Sequence, residues 1–310
     1  MKKILSVILI IFSICYSYGQ KYILLDQLKE NYQVNEYTFK TKQLYGIDKK
    51  VTAYNVFVTK SNIILLSILP SYKNERIIPL TSVGYDKSTN VLSTKTEENG
   101  NYENWEKTDF EKIKNNIVSP SSIENDMISE WGIDVTPEKK TFQYQLVKKI
   151  DQNYYVTKNC LTEFFLIANS QYPITTPYGT INITEKRVTI KEMQEAFKKQ
   201  YPKNVFPLDI WEKSQSKGGD GIYTVRNYLS KEYKVKNDNA YQFWTLDSWW
   251  SMHGDNHHRG IDRFVYIPEK GIIGGSYDFY FRDPRGFKIA DTLLWQNIIN
   301  EKVMIAEELK

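Results

Sequence analysis

Two cysteines among 310 residues leave no room for a disulfide framework, so a hydrophobic core must hold this chain together. The common nucleotide and metal signatures are missing. There is no G-x-x-x-x-G-K-S/T, no G-x-G-x-x-G, no H-E-x-x-H, no C-x-x-C and no EF-hand loop. The loop Gly218-Gly219-Asp220-Gly221 is too short for a phosphate cradle and lacks the lysine–hydroxyl pair. A G-x-S-x-G elbow is absent too, which argues against an α/β-hydrolase. Dense basic stripes are also lacking. Lysines occur in scattered pairs such as Lys139-Lys140, Lys148-Lys149 and Lys198-Lys199, interleaved with acids, so nucleic acid is not an expected partner. Apolar runs long enough to span a membrane are missing as well: Ile4–Ile14 covers about half of the ~20 residues a spanning helix needs.

That short run has a different reading. Lys2 and Lys3 precede it, and Ser17-Tyr18-Gly19 places small residues at −3 and −1 of a cleavage site. Residues 1–19 therefore read as a cleaved signal peptide, with the mature chain starting at Gln20 in the periplasm or outside the cell. A lipoprotein route through Cys15 is disfavoured, because the branched Ile14 stands where that processing wants a small residue. Cleavage removes two of the 41 basic residues, leaving 39 against 37 acidic ones. It also leaves Cys160 as the single thiol, either a small buried apolar group or a reactive one.

A hydrophobic fraction of 41% with 25% charged residues is a globular composition. Tyr54–Val58 and Ile63–Leu69 read as strands, as do Phe142–Val147, Tyr154–Thr157 and Tyr241–Trp250. Arg263–Ile267 and Ile272–Phe281 flank Pro268-Glu269-Lys270-Gly271, a four-residue hairpin loop. Capping-box spacing predicts a helix of about ten residues from Thr108, a short one from Ser121, and an amphipathic one from Thr189. The stretch 291–309 reads as a C-terminal amphipathic helix, with Leu294, Trp295, Ile298, Ile299 and Val303 on one face. Strands do not alternate regularly with helices, so the expected class is α+β, dominated by antiparallel sheet. The composition shift predicts an N-terminal β-rich region over 20–120, a linker with a short helix over 121–140, and a C-terminal α+β domain over 141–310.

All three histidines fall within six residues, His253-Gly254-Asp255-Asn256-His257-His258. The intervening residues are poor helix formers, so the stretch reads as a loop. Imidazoles with Asp255 or Asp262 suit a divalent ion such as zinc, with His253 and His257 converging on it. A second arrangement uses the thiol. Asn159 is a good N-cap, and if the following run is helical Cys160 gains a lowered pKa. His257 or His258 then serves as base, and Asp278 across the hairpin fixes its tautomer. That order of three residues resembles papain-like and transglutaminase-like enzymes, which implies acyl transfer. In a third reading the histidines are solvated loop residues and Arg259 pairs with Asp262.

Upstream, Trp244 and Trp250 share one strand face with Gln242, and Trp249 takes the other with Phe243. Indoles beside a polar loop that includes Arg259 describe a cleft for a small molecule, a glycan or a protein. The expectation is an exported protein with a ligand-binding or hydrolytic cleft around 244–262. The alternative class is a non-catalytic envelope protein that binds through exposed aromatics.

Overall fold

The computed structural model describes residues 20–71, 104–123, 140–167, 179–203, 226–246, 260–282, 287 and 289–310. Strands dominate it, in three sheets. The first holds β1 (Lys21–Leu24), β7 (Tyr144–Ile150), β8 (Asn153–Thr157) and β5 (Trp105–Thr108), in that order. The second runs β10 (Thr180–Ile181), β9 (Cys160–Ile167), β4 (Asn62–Ile68), β3 (Lys50–Phe57) and β2 (Gln33–Lys40), with β6 (Lys140–Thr141) also on β9. The third is a meander, β11 (Arg226–Val235), β12 (Asp238–Leu246), β13 (Arg263–Ile267), β14 (Gly271–Ser276) and β15 (Met304–Ile305). Among the described strands, only the β1–β7 and β9–β10 pairs are parallel. The class is α+β with antiparallel pairing dominant, as the sequence implies.

Strand alternation stacks these sheets in layers. Along β4, Ile63 and Leu65 join one core while Ile64, Leu66 and Ile68 join another. Along β9, Leu161 and Phe165 go to the first core and Cys160 and Phe164 to the second. The second sheet is therefore buried on both faces, which explains its continuous apolar runs. One core lies between it and the third sheet, around Phe243, Phe264 and Ile272. The other lies against the first sheet, around Ile23, Tyr144 and Leu146. A further cluster covers the outer face of the third sheet.

Helices also precede the C-terminal region. Helix α1 (Leu25–Asn31) buries Leu25 and Leu28 in the core beside the first sheet. Helix α2 (Lys42–Tyr45) brings Tyr45 to the opposite core. The helix expected from Thr108 is shorter and later. Thr108 ends β5, Asp109 accepts from Glu111 N, and α3 covers only Phe110–Ile113 before a 3-10 turn at Lys114–Asn116. Helix α4 (Ile190–Gln200) matches its sequence signature: Thr189 and Glu192 form a reciprocal capping box, and Ile190, Met193 and Phe197 are buried.

The C-terminal helix is a correction. After the short α5 (Asp278–Arg282), α6 covers Asp291–Ile299 and no more. Glu301 then adopts a left-handed φ of 51° and Met304–Ile305 returns as the edge strand β15, so Val303 is not on a helical face. Tertiary bonds set that stop. The buried Glu301 carboxylate accepts from Ile190 N at 2.7 Å and meets Lys231 at 3.0 Å, while its carbonyl accepts from Gln242 at 2.7 Å. Three partners distant in sequence outweigh a helical register.

The linker expected over 121–140 falls largely outside the described residues. On its two sides the chain shares sheets, β1 with β7 and β4 with β9. Residues 1–19, expected to be a signal peptide, and the glycine-rich stretch 218–221 also lie outside them. Among the described residues no helix is long and apolar enough to cross a membrane.

Candidate functional site

The hairpin that follows the histidine-bearing stretch forms with β13 paired to β14, but Gly271 already pairs with Ile267, so the loop is Pro268–Lys270 instead of four residues, and the second strand stops at Ser276 instead of reaching Phe281. Gly271, at φ 82°, closes the loop; a Cβ there would lie 2.5 Å from Asn55 Oδ1. That contact is structural. Asn55 is buried and bonds both the N–H and the carbonyl of Ile272, at 2.7 and 2.9 Å, tying the second sheet to the third. Strand pairing continues ahead of β13, where Thr245 N donates to Asp262 O and Asp262 N to Ser276 O.

Residues 260–263 thus enter the fold pinned in place, and a buried polar seam forms around them. Glu163, from the centre of β9, accepts Ile261 N on both carboxylate oxygens at 3.1 Å. Its carboxylate also occupies the space a side chain at Gly260 would need. Asp262 is 4% exposed and its Oδ2 accepts from Phe279 N at 3.4 Å. Arg263 and Asp278 form an ion pair with side-chain exposures of 2% and 0%. Guanidinium Nη1 meets Oδ2, Nη2 meets Oδ1 at 3.2 Å, and Nε donates to Lys302 O at 3.0 Å.

Tyrosines complete the seam. Tyr45 Oη donates to Asp278 Oδ1 at 3.1 Å and accepts from Tyr277 N at 2.7 Å. Tyr277 Oη meets Ser67 Oγ at 2.7 Å. Tyr280 Oη donates to Pro70 O and accepts from Asn159. Burial first, and then the Asp278 charge, holds the Tyr45 phenol well above its ordinary pKa. Burial and the Glu163 charge do the same to Tyr277. Burial pulls the Arg263 guanidinium down, but Asp278 outweighs it and leaves the pKa raised.

The seam changes the roles expected of several residues. Asp278 opens α5 and does not lie on the second hairpin strand. Its two oxygens already take Arg263 twice, Tyr45 and, at 3.4 Å, Ser276. A carboxylate has about four lone-pair positions, so none is left to orient an imidazole. Cys160 is likewise not at a helix N-terminus; it begins β9. Its side chain faces the first sheet, among Tyr54, Ile68, Tyr144 and Leu146, while Asp278 meets Tyr45 on the opposite side of the second sheet. Burial pushes the Cys160 thiol up to about 12, the reverse of an activated nucleophile.

Trp244 is not a stacking platform. It shares the Gln242 face as alternation requires, but that face is covered by α4 and α6. Its ring is fully buried, lies 4.6 Å from Tyr228, and donates its N–H to Val188 O at 2.8 Å. His253, Asp255, His257, His258, Arg259, Trp249 and Trp250 lie outside the described residues. Among the described residues no three His, Cys, Asp or Glu side chains group as metal ligands.

Sequence reasoning passed over Glu163, Tyr45, Arg263 and Tyr277. One signal was readable for Glu163: a lone carboxylate inside the apolar run Leu161–Ile167. A charge in a doubly buried strand requires a partner. No protein-family model matches this chain, and neither does any curated protein or solved structure that it was compared with.

Proposed function

We propose that this is an exported protein whose segment 244–262 forms a ligand-binding or hydrolytic site. Its centre is a divalent cation such as zinc, held by His253, His257 and the carboxylates of Asp255 or Asp262. The observation that carries this reading is the fixed root of the segment. Asp262, just ahead of β13, is fixed by backbone bonds to Thr245 and Ser276, and only Arg259, Gly260 and Ile261 separate it in sequence from the histidine-bearing stretch. Imidazole nitrogen and carboxylate oxygen are both ligands that zinc accepts. The metal form is favoured over the thiol form, because Cys160 faces away from Asp278 with a raised pKa.

Metal analysis of protein purified without chelator tests the proposal. About one equivalent of bound metal is expected, lost in the His253→Ala/His257→Ala double variant and reduced in Asp262→Asn. Metal-free protein whose melting temperature ignores chelator would refute it. Export is tested by N-terminal sequencing of the extracytoplasmic protein: a start at Gln20 supports it, and an intact Met1 in the cytoplasm removes it.

A second reading is a non-catalytic envelope binding or structural protein. It is favoured by the burial of Cys160, Asp278 and Trp244 in structural roles, which leaves Trp249, Trp250 and Arg259 as contact candidates. Replacing Trp249 and Trp250 by alanine would then reduce partner capture without changing metal content.

A further inference from the structure

We draw no further inference here: the strongest candidate, the side-chain cluster between the first and second sheets in which Glu36 meets Tyr54 and Lys29 and Lys148 stands over the Trp105 ring, carries nothing because Glu36 is already engaged within the cluster and nothing in the structure shows what covers it.

Discussion

Removing the Asp278 carboxylate should separate a stability role for the seam from any other. In Asp278→Ala the Arg263 guanidinium, 2% exposed, is left without its counter-charge. Stranding one member of a buried pair costs about 3–5 kcal/mol. Tyr45 Oη loses its acceptor as well, and an unsatisfied buried hydroxyl costs about 1–3 kcal/mol. The two losses overlap, so about 4 kcal/mol is expected, against a total stability on the order of 5–15 kcal/mol. The double variant Arg263→Met/Asp278→Leu strands no charge. It leaves Tyr45 Oη and the Lys302 carbonyl short of partners, and should cost at most about 2 kcal/mol. Guanidinium titrations of the parent, Arg263→Met, Asp278→Leu and the double give the coupling directly, with Asp278→Ala as the plain truncation. A positive result is a double variant more stable than Asp278→Ala, by about 2 kcal/mol, at unchanged m. Additive losses, or an Asp278→Ala cost under about 1 kcal/mol, would refute a tightly coupled buried pair.

Other outcomes are open to measurement. Gly271→Ala should destabilise by about 2 kcal/mol or more, since it combines a left-handed φ with overlap on Asn55, whereas Gly46→Ala, with open space around it, should cost less; equal losses in urea titrations would contradict the Asn55 contact. Stability should fall as pH rises through roughly 9–12. Unfolded cysteine and tyrosine release protons from about pH 8.5–10, while folded Cys160, Tyr233 and Tyr266 hold theirs to about 12, so the unfolded state binds fewer protons there. A guanidinium midpoint that stays flat between pH 8 and 11 would contradict that ordering. Native Cys160 should resist iodoacetamide at pH 8 and react fully in denaturant; rapid native alkylation would refute its burial against the first sheet.

Local chemistry announced those elements whose partners lie nearby in sequence. The Thr189–Glu192 capping box and the turn after Pro268 each satisfy their requirements within a few residues; the helix forms where expected, and the hairpin forms with its loop one residue shorter, because Gly271 joins β14. The apolar run of β4 was legible because a strand buried on both faces needs no alternation. The run after Asn159 was ambiguous for the same reason. Cys160–Phe165 suits a helix or a buried strand, and pairing with β4 decides for the strand.

The sequence by itself determined an α+β chain rich in antiparallel strands, the hairpin that turns at Pro268 and its best-capped helix, because those follow from φ/ψ preferences and short-range hydrogen bonds. Only the tertiary structure decided that the C-terminal helix stops at Ile299, that Asp278 pairs with Arg263, and that the thiol faces the first sheet. Glu301 ends the helix through Ile190 and Lys231, and Asp278 is held by Tyr45, more than two hundred residues earlier. Desolvation forces such groups to find partners, and the partner is whichever group the packed layers bring within reach.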